Sequence, residues 1–155
     1  MKAIGSRWLL ATALVAPTAF AGDVSWSAGV HAVIHPTVAM TDGAAFYAYT
    51  VTGGMTLEMG QEQVPLSIHC TGLDKAAESG LSGQGACAWT DADGGVLSVE
   101  LKTSDAGNAY TVTGGTGRWA GAKGQLTSSF AFLPGPSDAY MLGTEKGSGQ
   151  LELSQ

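Results

Sequence analysis

Positive charge is scarce in this chain: seven Lys and Arg stand against thirteen Asp and Glu in 155 residues. Charged residues of either sign reach only 13%, about half the usual share. No basic stripe relieves that balance, so the surface repels phosphate backbones and anionic lipid heads, and a nucleic-acid partner is excluded. Beyond residue 21 no apolar run approaches the roughly 20 residues that a bilayer crossing needs, so no membrane insertion is expected. Gly-x-Ser-x-Gly elbows, phosphate loops and dinucleotide fingerprints are all missing, which leaves hydrolase and cofactor-dependent oxidoreductase chemistry without residues. No cofactor is expected.

Apolar residues make up 45% of the chain, too many for disorder over most of its length. Gly supplies 23 residues, about twice the average usage. Together with abundant Thr, Ser and Val, this composition points to one small all-β domain rather than a helical bundle. The chain opens on an address. Lys2 and Arg7 form a positive n-region, Trp8 to Ala16 an apolar h-region, and Ala19-Phe20-Ala21 a small-x-small cleavage site. Residues 1–21 therefore read as a cleaved signal peptide and residues 22–155 as the mature domain, periplasmic or secreted. Its cations fall to Lys75, Lys102, Arg118, Lys123 and Lys146, against the same thirteen acids.

Short β-forming runs follow one another: Val30 to His35, Phe46 to Thr52, Val64 to Cys70, Ala86 to Thr90, Val96 to Thr103, Tyr110 to Thr113, Leu126 to Leu133, Tyr140 to Gly143 and Gln150 to Leu153. Turn clusters separate them, among them Gly53-Gly54, Asp91 to Gly95, Gly114 to Gly117 and Lys146 to Gly149. Leu73 to Ser79 is the only helical candidate. Tyr-Thr-Val-Thr-Gly-Gly occurs at residues 49–54 and again at 110–115, which reads as convergent strand-to-turn chemistry. The rhythm favours an antiparallel barrel or sandwich. Within Val96 to Thr103, Leu97, Val99 and Leu101 share one face and Val96, Ser98, Glu100 and Lys102 the other. In a barrel one of those faces is the lumen.

Two cysteines in an exported chain read first as one disulfide, Cys70–Cys87. The alternative, a redox pair, lacks the close Cys-x-x-Cys spacing. Three histidines raise a metal hypothesis, but His31 and His35 would lie about 13 Å apart on a strand, too far for one zinc ion. No metal site is assigned. Asp91-Ala-Asp-Gly-Gly95 departs from a calcium loop at positions six and twelve and reads as a hairpin turn. His31 or His69 as a lumen acid or base, Glu100 with a pKa raised by an apolar lumen, and Tyr110 are the catalytic candidates. Each has a plainer reading as a surface or core residue.

Gly114-Gly-Thr-Gly-Arg-Trp-Ala-Gly-Ala-Lys-Gly-Gln-Leu126 is the most informative stretch. Its glycines Gly114, Gly115, Gly117, Gly121 and Gly124 let the chain turn back tightly, with Trp119 covering the turn. The stretch resembles the GGTG-x-(aromatic)-x-x-A-x-G signature of dirigent proteins and the corresponding segment of allene oxide cyclases. The resemblance implies a small exported bacterial member of a superfamily of eight-stranded antiparallel, calycin-like barrels, and a homo-oligomer, since relatives often form dimers or trimers. The matched residues are turn-formers. The pocket acids and bases of dirigent proteins have no flanking motif here, and the aromatic-rich last strand of the cyclases is missing. The plant reactions therefore do not carry over.

Three functions fit. The first is an exported barrel that takes an apolar or aromatic small molecule into its lumen, in its sharper form steering a cofactor-free isomerisation, cyclisation or lyase step. The second is a non-catalytic periplasmic carrier. The third is a structural or envelope-interaction protein with a filled barrel.

Overall fold

The computed structural model describes residues 19–137 and 139–154. Residues 1–18, most of the expected signal peptide, lie outside it. Nine strands follow in order: β1 Phe20–Ile34, β2 Val38–Ala39, β3 Ala45–Met59, β4 Glu62–Ala77, β5 Gly80–Asp91, β6 Val96–Ser104, β7 Gly107–Gly115, β8 Lys123–Leu133 and β9 Tyr140–Leu153. All neighbouring pairs are antiparallel, in the order β1-β9-β8-β7-β6-β5-β4-β3, and pairing of β1 with β3 closes an eight-stranded ring. The short β2 is a ninth strand on the edge of β3 that β1 leaves free after Pro36. Closure removes the open edges through which β-sheets aggregate. The barrel expected from the sequence is the one observed, with the Cys70–Cys87 disulfide directly across the β4–β5 pair.

The strands are longer than their β-forming runs suggest. The helical candidate Leu73 to Ser79 is no helix: Leu73 to Ala77 completes β4, and Glu78-Ser79 is the two-residue turn into β5. Gly53-Gly54 lies inside β3, and Lys146 to Gly149 lies inside β9, which joins two expected strands into one. The first Tyr-Thr-Val-Thr-Gly-Gly copy is thus continuous strand. The second does end in a turn, through a bulge between β6 and β7 at which Gly114 takes φ +139°. Phe20 and Ala21 pair with Leu153 and Glu152, so the expected cleavage site overlaps the start of β1.

The reason for a mid-strand glycine is visible at Gly147. A Cβ there would sit 2.0–2.5 Å from three atoms of the Trp26 indole, which occupies the space a side chain would fill. Trp26 is wedged in turn against Trp89 and Tyr110, with ring centroids 5.7 and 5.9 Å away, so it has no room to retreat. Gly147→Ala is expected to destabilise the barrel by about 1–3 kcal/mol, as overpacked cores are. Chemical denaturation reads this directly. A companion Trp26→Leu substitution should return part of the loss, and additive effects of the two changes would count against the wedge.

The core divides along the barrel axis. At one end, Leu57, Leu97 and Leu151 are fully buried in one cluster with Trp119. Trp119 belongs to the 3-10 turn Gly117–Trp119 between β7 and β8. Its Nε1–H donates to Asp91 Oδ2 at 2.8 Å, while Arg118 lies against its ring and reaches Glu62 of β4 through two hydrogen bonds of 2.7 and 2.8 Å. This turn therefore spans the barrel end and seals it. Trp26, Trp89 and Tyr110 form a mutually tilted aromatic layer in mid-barrel. Above that layer the filling stops.

Candidate functional site

A cavity of about 430 Å³ occupies the upper half of the lumen and opens between the loops at the other barrel end. All eight strands of the ring contribute to its wall. Trp89 and Tyr110 form part of its floor, and Val30, Ile34, Val51, Ile68, Leu101 and Phe130 give it apolar sides. The Cys70 half of the disulfide is also in the wall. Around the mouth, Val38, Met40, Phe132, Leu133 and Tyr140 remain exposed, so the rim is apolar as well.

Two buried carboxyl groups face this apolar space, Glu145 from β9 and Asp74 from β4. Their strands lie three apart around the ring one way and five the other, so the acids approach from nearly opposite walls. Glu145 is well served. Its Oε1 accepts the Tyr110 hydroxyl at 2.6 Å, the Asn108 amide at 3.3 Å and the Ser128 hydroxyl. Asn108 also donates to the Tyr110 oxygen at 3.2 Å, which ties the cluster together. Burial, and then the adjacent Glu145, push the Tyr110 hydroxyl far above its ordinary pKa. Tyr110 is therefore a fixed donor.

Asp74 is in a different position. It is 6% exposed, and its Oδ1 has no hydrogen-bond partner. Burial raises its pKa, and the Thr103 and Tyr49 hydroxyls offset this only in part. Two phenols on β3 lie beside it. Tyr49, itself buried, is pushed up to about 12 chiefly by burial, and Tyr47 moves upward through burial and the proximity of Asp74. A lumen that is hydrophobic on its walls thus holds one carboxyl with three donors and one with an orphaned oxygen.

Of the four residues that the sequence put forward for chemistry, only Tyr110 faces the lumen. His31 lies on the outer face of β1, its ring stacked on Tyr140 at 5.4 Å between centroids. His69 is exposed on the outside of β4, between inward Ile68 and Cys70. Glu100 is exposed on β6 opposite to Leu97, Val99 and Leu101. Strand parity, which swings alternate side chains to opposite faces, places all three outside. His35 is also exposed, its Nε2 3.2 Å from Thr50 Oγ1. Asp91 is structural: its Oδ1 accepts the backbone N–H groups of Asp93 and Gly95 at 3.0 and 2.7 Å, closing the β5–β6 turn. Among the described residues no three His, Cys, Asp or Glu side chains converge as a metal site.

Gly114, Gly115, Gly117, Gly121 and Gly124 all belong to the β7–β8 connection and its flanks, at the sealed end and away from the mouth. Gly117 and Gly121 take φ +62° and +71°, which is how the short connection between Gly115 and Lys123 turns back and still buries Trp119. These residues build the barrel and touch no part of the cavity wall.

A blind, eight-stranded antiparallel barrel with an acidic, apolar lumen is the class that this geometry defines. No family of known proteins matches the sequence, and no curated protein does. Among solved structures, the fold is similar to that of a pterocarpan synthase dirigent protein, with TM-score 0.47 and 16% sequence identity over 88% of this chain and 87% of that one. Among the described residues no helix is long and apolar enough to cross a membrane.

Proposed function

We propose that this protein is an exported barrel that binds an apolar or aromatic small molecule in its lumen. The observation that carries the reading is the cavity: about 430 Å³, apolar on its walls, open at one end, with a few polar groups aimed inward. Volumes of about 300–1,000 Å³ with that kind of lining are typical of small-molecule sites. The unfilled upper lumen argues against a barrel whose interior serves packing alone. A disulfide supports an oxidising compartment, periplasmic or extracellular. Homo-oligomerisation is part of the same proposal.

A second reading adds cofactor-free catalysis, an isomerisation, cyclisation or lyase step. It is favoured by the unlike environments of the two lumen acids: Asp74, whose pKa burial raises, keeps an unpartnered oxygen, while Glu145 is held by three donors, and two carboxyl groups in unlike settings can divide the work of proton donor and acceptor. His31, His69 and Glu100 have no place in that reading.

Native mass spectrometry of the purified protein, followed by solvent extraction, tests binding and reports oligomeric state in the same spectrum. A retained apolar adduct, or saturable uptake of the neutral naphthalene dye prodan, is expected. Ala32 points into the cavity from β1, so Ala32→Trp should fill the space and weaken prodan uptake by about tenfold or more while the barrel still folds. No adduct and no dye uptake by the wild-type protein would overturn the reading, and uptake unchanged by Ala32→Trp would move the site out of the lumen.

A further inference from the structure

We propose that the lumen selects an amine: a ligand with an aromatic or alkyl body and one protonated nitrogen seated on Asp74. The assignment rests on the lumen-binding reading and names the chemical class of its ligand.

The starting point is the imbalance of charge inside the barrel. Asp74, Asp105 and Glu145 all contribute to the cavity wall, and among the described residues no Lys, Arg or His does. Glu145 has its three donors, and Asp105 at the mouth accepts the Leu81 N–H at 2.8 Å. Asp74 alone keeps an unpartnered oxygen, although it is 94% buried. Buried carboxyl groups that lack a counter-charge and leave one oxygen unpaired are costly and rare, and they mark places where a partner is missing.

The local packing fixes where that partner must sit. A Cβ on Gly83 of β5 would come within 1.8 Å of Asp74 Oδ1, so that buried oxygen rests on bare backbone where no side chain of β5 can serve it, and a ligand nitrogen must approach the carboxyl from its cavity side. The Tyr47 and Tyr49 rings contribute to the wall beside it. A neutral hydroxyl ligand could donate one hydrogen bond but brings no charge to favour the ionised carboxylate that burial disfavours. An ammonium supplies both donor and charge, and aromatic faces nearby favour a cation over a neutral group. An anion would meet three carboxylates and no base. The uncharged wall around Trp89, Leu101 and Phe130 then receives the apolar body.

The test compares three matched ligands by calorimetry: 2-phenylethylamine, 2-phenylethanol and phenylacetate, with prodan uptake measured on the same samples. The amine is expected to bind at least about tenfold more tightly than the alcohol, and phenylacetate not to saturate. In Asp74→Asn the amine should fall to within about twofold of the alcohol, while prodan and alcohol affinities hold. Glu152→Gln, which removes an exposed charge outside the barrel, should leave the preference intact. Prodan uptake with equal amine and alcohol affinities in the wild type would overturn the amine assignment and spare the lumen reading. A preference that survives Asp74→Asn overturns the role of Asp74. Absence of prodan uptake as well would overturn the lumen reading itself. The wild-type comparison decides between amine and alcohol even if Asp74→Asn fails to fold.

Discussion

Trp119→Ala is expected to destabilise the protein by about 3–5 kcal/mol, the range for removing a large aromatic side chain from a closed core. For a domain of this size that is a fall in Tm on the order of 10–15 °C. The ring is completely buried in the same core cluster as Leu57, Leu97 and Leu151, so truncation opens a void at the sealed end that rigid strands cannot collapse into. It also strips Asp91 Oδ2 of its indole donor, on the residue whose other oxygen closes the β5–β6 turn. Arg118 loses the ring beneath it, which loosens its bond to Glu62 across the barrel end. Trp119→Phe keeps most of the apolar volume and should cost about 1–2 kcal/mol, chiefly the lost N–H bond and the smaller ring. Urea titration of both variants separates volume from hydrogen bonding. A loss below about 1 kcal/mol for the alanine variant would show that the turn is an ornament of the barrel and not its seal.

Replacing both Cys70 and Cys87 with alanine should cost roughly 3 kcal/mol, the chain-entropy value for a loop of about this length. The physical setting differs from the loose segment expected from composition. Between the cysteines the chain forms one continuous hairpin, paired from Thr71 with Ala86 out to Ala77 with Gly80. The native backbone therefore has little to lose when the bond is removed, and the effect belongs to the unfolded chain, which gains freedom. The expected result is a native-like circular dichroism spectrum at 25 °C together with a denaturation midpoint well below that of the oxidised protein. A changed native spectrum would mean instead that the bond shapes the lumen wall directly.

The closed sheet was legible because inward and outward residues alternate cleanly where they matter. Leu97, Val99 and Leu101 could be assigned to one face before any pairing was known, and the same parity places Glu100 on the other. His31 and His69 carried that signal too, each flanked by residues that point inward. The two lumen acids were hidden by their neighbours. Asp74 sits in Leu-Asp-Lys-Ala-Ala, which reads locally as a helical turn, and Glu145 precedes Lys-Gly-Ser-Gly, which reads as a loop. Both segments are strands because of partners far along the chain: β5 recruits the first, and Trp26 of β1 needs the bare backbone of Gly147 in the second. Local composition contains neither fact. Asp74 and Glu145 were missed for the same reason that their strands were cut short.

The seal at Trp119 has a kinetic consequence. A tube open at both ends can be flushed, with a newcomer driving out the occupant from behind. This barrel has one door. Whatever enters must depart by the way it came, and a competitor waiting at the rim cannot hasten that departure. Replacement should therefore proceed at the occupant's own dissociation rate, independent of how much competitor is supplied. A molecule held here is sheltered, and passing it onward requires that it first be let go.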